Sequence, residues 1–260
     1  MNIIITAGGT RERIDAVRTI TNDATGRLGS LIAESFSRRL SDKEYTIYYL
    51  CGMGALLPRI DDRNIQILRI EGTEQLQGQI KHLLTTKKID AIIHSMAVSD
   101  YRVSNVTTVE EIALNLFQKK AELLSAGSYE EWRRVILKTA RGQVVKGQQK
   151  ISSDLESPLL MLEKTPKVIG IMKETSPQTL LVGFKLLSGV SVEQLIDTAY
   201  KLLLKNSCDF VLANDTQSIK EGEHIGYLLH KDKSYKIFTT KEQIAEGIAD
   251  CILKEICSSL

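Results

Sequence analysis

A β-branched apolar run, Ile3 to Thr6, breaks at Ala7-Gly8-Gly9-Thr10. A second small-residue loop, Asn22 to Gly29, then feeds an apolar-periodic segment from Ser30 to about Leu40. The run reads as a buried strand and the periodic segment as a helix. Two loops therefore leave the carboxyl end of the first strand and meet at a helix amino end. Glycine lets backbone approach a ligand closely. Unpaired N–H groups and the helix dipole favour phosphate there. A site for a phosphorylated ligand is the first expectation.

Beyond this opening, strands are expected at Thr46–Leu50, Ile65–Ile70 and Asp90–His94, with a helix at Thr73–Leu84. Strands alternating with helices imply α/β: a Rossmann-like, mostly parallel sheet flanked by helices. Ligands then sit beyond the carboxyl ends of the strands, which sets the segment after His94 beside the first-strand loops. Further along, Ser157–Leu162 reads as an antiparallel-type strand and Pro166 as the first residue of a helix reaching Met172. Thr179–Gly183 is a buried strand, Ser191–Lys205 a helix, and Phe210–Thr216 another strand. A carboxyl-terminal β-hairpin, Gly226–His230 with Ser234–Phe238, precedes a closing helix capped by Thr240. Residues 103–149 carry two capping boxes, Thr108-x-x-Glu111 and Ser128-x-x-Glu131, and read as an inserted helical segment. Their expected role is a surface helical hairpin, with a dimer contact or active-site cover as the alternative. Residues 141–149 are polar and glycine-containing and read as mobile. One domain spans 1–260.

A plain dinucleotide-binding crossover fits poorly. The glycines fall at 8, 9, 26 and 29 without the Gly-x-Gly-x-x-Gly spacing, and the second strand ends in Cys51-Gly52 with no ribose-binding acid. The Tyr-x-x-x-Lys pair of a short-chain dehydrogenase occurs only at Tyr227 and Lys231, in a stretch that reads as strand. Extended backbone would hold those Cα atoms roughly 13 Å apart.

The run Ile5-Thr-Ala-Gly-Gly-Thr-Arg-Glu12, then Asp15-x-Val17-Arg18, then Ile20-x-Asn22-x-x-Thr25-Gly26-x-x-Gly29 resembles the opening of the phosphopantothenate–cysteine ligases of coenzyme A synthesis. Later segments resemble that family in order: Ala97-Val-Ser-Asp100-Tyr, Lys150-Ile, Lys164-Thr-Pro166-Lys-Val-Ile169, Gly183-Phe184, and Ala213-Asn-Asp215. The likeness covers the chain apart from about 103–149. It implies a ligase that joins 4′-phosphopantothenate to L-cysteine through an acyl-nucleotidylate, with release of pyrophosphate. It further implies that Asn22 holds the carboxyl and the acyl-nucleotide, while Lys150 neutralises nucleotide phosphates. Asp100, Pro166, Lys167, Val168, Ile169, Phe184, Lys201 and Lys205 would bind the nucleotide; Gly8, Gly9, Thr25, Gly26 and Ala97 would line the phosphate loops. The implied nucleotide is CTP with Mg²⁺, ATP being possible, and the implied assembly a homodimer. Because the chain starts at the ligase motif, a stand-alone form is expected.

On residue type alone, Asn22 and Asp100 are turn or cap residues, Lys201 and Lys205 a solvated stripe, and Phe184 core. The chain departs from the family pattern at Asp23, Arg27, Ser153 and Leu186-Leu187-Ser188, where histidine, lysine, a second lysine and an acid are usual. A non-catalytic nucleotide-binding protein on the same fold is the second functional class, since fold alone does not fix function.

Composition excludes other classes. A net charge of +2 gives no electrostatic case for nucleic acid or an anionic membrane. No apolar run has the length of a membrane span, and Met1-Asn2-Ile3 leads directly into strand, so no signal peptide is expected. The four cysteines form no C-x-x-C pair and suit a reducing cytoplasm; the four histidines lack metal-ligand spacing. Any metal is expected to arrive on nucleotide phosphates rather than in a protein cage.

Overall fold

The structure, a computed structural model, describes residues 1–141, 150–220 and 222–258. Residues 142–149 of the stretch read as mobile lie outside the described residues. The chain forms two compact units: 1–10, 22–98 and 167–260 make the first, 11–21 and 99–166 the second.

The first unit is built on one eight-stranded sheet. Strand β1 (Asn2–Ala7) lies at its centre, and Ile3, Ile4 and Ile5 are fully buried. A strand covered on both faces must be apolar on both, and this run is. At about 1.5–3 kcal/mol per buried isoleucine, it is a main anchor of the fold. Around it run β4 (Thr46–Gly52), β5 (Ile65–Ile70), β6 (Ala91–His94), β9 (Leu180–Leu187) and β10 (Phe210–Lys220), all parallel. The order β5-β4-β1-β6-β9-β10 is doubly wound. The antiparallel pair β11 (Glu223–Leu229) and β12 (Tyr235–Phe238) extends one edge as the expected hairpin.

Helices cover both faces. On one, α1 (Arg27–Arg39) and α8 (Lys241–Ser258) pack on Ile3, Ile5 and Ala7. On the other, α2 (Thr73–Thr86), α6 (Val168–Thr175) and α7 (Val192–Lys205) pack on Ile4, Ile92 and Leu181. A full capping box, Ser191 with Gln194, starts α7. Helix α1 begins one turn before Ser30, at Gly26, whose positive φ of 73° suits glycine. Helix α6 begins later than expected: Lys167 is its cap, so Pro166 precedes the helix rather than opening it.

The second unit holds a short hairpin, β2 (Arg11–Arg13) with β3 (Thr19–Thr21), and an antiparallel pair, β7 (Tyr101–Thr108) with β8 (Pro158–Lys164). Three helices follow β7: α3 (Val109–Gln118), α4 (Lys120–Ser125) and α5 (Tyr129–Ala140). This corrects the expectation for 103–149. Its first residues are strand, paired antiparallel with β8, and three helices stand where two were expected. Thr108 and Ser128 do cap α3 and α5, each accepting the N–H three residues on, from Glu111 at 3.1 Å and Glu131 at 3.3 Å.

The glycines differ sharply in what surrounds them. A Cβ on Gly52 would lie 2.3 Å from the Gly9 carbonyl oxygen, whereas one on Gly78, inside α2, would meet nothing within 4 Å. Urea unfolding is expected to show Gly52→Ala destabilised by about 1–3 kcal/mol through overpacking. Gly78→Ala is expected to gain about 0.5–1 kcal/mol from helix propensity.

Candidate functional site

The switch point of the sheet lies between β1 and β6, where the strand order reverses. Three loops are layered there. Gly8 and Gly9 follow β1, and Gly9 bridges to Ala97 in the segment after β6. Ala97 N–H donates to Gly8 O at 2.8 Å, while Ala97 O accepts Thr10 N–H and the Asn22 side-chain amide, each at 3.2 Å. Thr25 O accepts Leu56 N–H at 2.9 Å, tying the loop before α1 to the one after β4. A Cβ on Gly8 would meet Ala55 at 2.6 Å, and one on Gly26 would meet Ala55 and the Gly8 nitrogen at 3.0 Å. The glycines are thus where backbone stacks on backbone.

At the amino end of α1, Gly26 supplies no side-chain cap and the first turn carries no acid, while Thr25 Oγ1 accepts the Arg27 N–H in a long bond of 3.4 Å. Orphan N–H groups and the positive end of the dipole remain for an anion. Asn22 and Thr25 are exposed at this end, and Gly26 and Ala97 are partly so. All six residues expected here, Gly8, Gly9, Asn22, Thr25, Gly26 and Ala97, come together in the first unit.

Two features went unseen in the sequence. Arg69, a lone cation in β5, donates from Nη1 to the carbonyls of Gly52 (2.9 Å), Ala55 (3.2 Å) and Met53 (3.4 Å), so it braces the third loop. Its charge within Ile-Gln-Ile-Leu-Arg-Ile was the available signal. The second is a polar pair beneath the loops. Thr6 Oγ1 accepts Met96 N–H at 3.1 Å and shares a hydrogen bond with His94 Nδ1 at 2.9 Å. Ser95 Oγ donates to Thr6 O at 2.6 Å. These bonds shape the turn that presents Ala97.

The other expected residues divide. Lys167 and Lys205 line one cleft of about 410 Å³ with Lys173 and Glu174, between α6 and the end of α7. Lys173 is also engaged by Asp209 at 2.7 Å. Burial alone would raise the Asp209 carboxyl, but Lys173 and Lys231 hold it below its usual range. Val168 is buried, and Ile169 packs near Gly183 with Leu202. Phe184 is half-buried on the α1–α8 face, opposite the face that α7 covers. Lys201 and Lys205 are exposed. Lys205 is the last residue of α7, on the side of the sheet where β10 begins. Asp100, Lys150 and Pro166 belong to the second unit; all three are exposed, and Asp100 O accepts Thr165 N–H at 3.0 Å.

Other chemistries find little here. Tyr227 lies in β11 and Lys231 in the turn after it, so they share no helix face. Burial pushes the Cys208 thiol up to about 12 and raises Cys51, leaving neither as a ready nucleophile. Among the described residues, no three His, Cys, Asp or Glu side chains are grouped to hold a metal ion. No helix of the described residues is long and apolar enough to cross a membrane.

An open, doubly wound α/β sheet with glycine loops layered at its switch point defines the class: a Rossmann-like α/β protein. Within that class, the chain belongs to the family described as the DNA/pantothenate metabolism flavoprotein C-terminal domain, whose model matches residues 1–124 and 142–256. The match runs through 103–124, so the segment outside the family pattern narrows from 103–149 to 125–141. Over 253 residues the chain is 30% identical to the coenzyme A biosynthesis bifunctional protein CoaBC of Thermococcus kodakarensis, covering 97% of this chain and 51% of that protein. It therefore spans about half the length of such relatives. The crystal structure of the DNA/pantothenate metabolism flavoprotein from Streptococcus pneumoniae is 33% identical and superposes with a TM-score of 0.76, covering 100% of both chains. A Cab2 mutant in complex with phosphopantothenate-cysteine shares the fold at 15% identity, with a TM-score of 0.64 over 98% of this chain and 88% of that one.

The buried His94 gives a pH signature. Burial lowers its pKa from the ordinary 6.5 to about 4, because the charged ring would lose its hydration. Between these values the unfolded chain binds a proton that the native state refuses, so stability falls as pH drops from 6.5 towards 4. The full loss is about 3 kcal/mol. A ring titration by NMR is expected to place the His94 midpoint near 4, with unfolding free energies falling over the same window.

Proposed function

We propose that the chain is a phosphopantothenate–cysteine ligase of coenzyme A biosynthesis. The observation that carries the reading is the glycine-capped, acid-free start of α1, stacked on the Gly8-Gly9 loop with the Asn22 amide at its rim, in a chain of a pantothenate-metabolism family. The complex of phosphopantothenate-cysteine with a protein of the same fold is in keeping with it.

A carboxylate and an amine at neutral pH form a salt, and the carboxylate needs a better leaving group. Attack of the phosphopantothenate carboxylate on the α-phosphorus of CTP forms an acyl-cytidylate and releases pyrophosphate. The cysteine amine then attacks the acyl carbon, an amide bond forms, CMP leaves, and the amine loses its proton. The protein supplies positioning and charge stabilisation. Asn22 holds the carboxyl and then the anhydride. The N–H groups around Gly8, Gly9, Thr25, Gly26 and Ala97 receive anionic oxygens. Lys150 neutralises the nucleotide phosphates as they separate. Asp100, the segment Pro166 to Ile169, Phe184, Lys201 and Lys205 bind the nucleotide, with the cleft at Lys167 and Lys205 favouring phosphate by charge. Mg²⁺ enters as the counter-ion of the nucleotide, part of the substrate.

The whole of 1–260 is read as one ligase domain working as a homodimer, in the cytoplasm. Four free cysteines suit that compartment. CTP is preferred to ATP in this reading.

Pyrophosphate release from purified protein with Mg²⁺, 4′-phosphopantothenate, L-cysteine and either CTP or ATP tests it. Release is expected to require phosphopantothenate, to be faster with CTP, and to yield amide product only with cysteine. Lys150→Gln is expected to slow release about 10²–10³-fold, the scale for removing one charge-stabilising donor. A protein that binds a nucleotide yet releases no pyrophosphate would instead be a non-catalytic binder.

A further inference from the structure

The segment that carries Lys150 belongs to no helix or strand up to Pro158, so no ladder sets its position. What holds it is a side-chain clamp from 136 residues earlier in the chain. Asp15 is fully buried, in the turn between β2 and β3. Its Oδ1 accepts the N–H groups of Val17 at 2.8 Å and Arg18 at 2.7 Å, which closes the turn. Its Oδ2 accepts the N–H of Ile151 at 3.0 Å. Arg18 completes the grip: Nη2 donates to Ile151 O at 3.1 Å, and Nη1 lies 3.7 Å from Asp15 Oδ2. The N–H and C=O of Ile151, itself buried, are thus both tied to one turn, while Lys150 beside it projects exposed. All of these groups belong to the second unit.

We infer that Asp15 is a positioning residue for Lys150, holding its backbone in place through the Ile151 N–H so that the ammonium group starts from a fixed point. The inference rests on the ligase reading for what Lys150 does, but not for the clamp itself. A flexible lysine on a loose segment would lose rotational and translational freedom in each turnover; a fixed backbone removes much of that cost. The residue type follows from the contacts. A carboxylate has acceptor sites for three N–H groups and the guanidinium charge to balance it. Asparagine keeps one acceptor oxygen but turns an NH₂ towards Ile151 N–H, donor against donor. Glutamate is a methylene too long to close the turn onto Val17 and Arg18.

Asp15→Asn is the test, read by amide hydrogen exchange and by the two half-reactions. Exchange at Ile151 is expected to quicken about 10- to 100-fold, the loss of one charge-assisted hydrogen bond, while amides of β1 and α1 keep their protection. Nucleotidyl transfer is expected to slow about 10- to 100-fold in kcat with little change in the KM for CTP. Attack of cysteine on supplied acyl-cytidylate should be unaffected. In a Lys150→Ala background, Asp15→Asn should add nothing, since a positioning residue without its lysine has nothing to position. Unchanged exchange at Ile151, or losses that multiply in the double variant, would overturn the inference. If Asp15→Asn does not fold, Arg18→Met, which leaves the Asp15 turn bonds intact, serves the same comparison: faster Ile151 exchange and slower transfer support the clamp, unchanged values reject it. Should the wild-type protein release no pyrophosphate, the ligase reading fails, and exchange at Ile151 still decides whether the clamp exists.

Discussion

The first unit depends on backbone meeting backbone at the carboxyl end of β1. Gly52 has no room for a side chain because the Gly9 carbonyl occupies it, and Gly8 and Gly26 close on Ala55 from two sides. Each contact removes a Cβ that would hold two chains apart by a methyl group. The result is a stack of three loops whose carbonyls are used internally, by Ala97, Leu56 and Arg69, while α1 starts at a glycine that offers no side-chain cap, with no acid in its first turn. That asymmetry gives the site its polarity. A cradle with its acceptors spent and its donors open selects for negative charge before any lysine is considered.

The polar groups beneath the cradle explain how such a surface stays rigid. Thr6 and His94 sit at the carboxyl ends of adjacent central strands, both buried, and bond to one another and to the turn at Ser95 and Met96. Apolar residues there would fill the space but leave the Met96 N–H without the Thr6 hydroxyl it donates to, a cost of about 1–3 kcal/mol for a buried group. The network therefore does two things with one set of atoms: it satisfies the turn and aims Ala97 at the loop. Burial of the imidazole also disfavours its charged form, which is why burial and pH sensitivity arrive together.

What the sequence disclosed follows from the range of the forces involved. Ile3 to Ile5 announce a strand buried on both faces, and Val192 to Lys205 announce a helix, because each pattern is local and periodic. The glycine loops, Asn22 and Ala97 were legible as a group for the same reason: strand ends and helix starts punctuate the chain. Strand β7 was not legible, since Arg102-Val103-Ser104-Asn105 alternates weakly and its partner β8 lies some fifty residues on, across three helices. Arg69 and Asp15 were invisible as structural residues for a related reason. Their partners are backbone groups, which carry no sequence signature, at Gly52 and Ile151. Lys201 and Lys205 show the opposite limit. Their shared helix face was read correctly, but which end of the sheet they reach depends on the direction in which α7 returns.

The two charges of this kind, Asp15 buried and Arg69 exposed, share a logic that separates them from simple surface ion pairs. Arg69 and Asp15 each bind several backbone groups, Arg69 in one loop and Asp15 in a turn and at Ile151, beyond any opposite charge. An exposed pair is weakened by water and by the entropy of two long side chains, and is worth about 0–1 kcal/mol. A charge that collects two or three backbone dipoles is different, because each dipole is already fixed by the chain and only one side chain must be ordered. Arg69 gathers carbonyls and so draws together the loop after β4. Asp15 gathers N–H groups and so ties a turn to a distant segment. In both cases the charged side chain stands in for a missing ladder, giving irregular backbone the definition that strands and helices get from their own hydrogen bonds. Irregular backbone is what a ligand site needs, and charge spread over dipoles is how this chain holds it still.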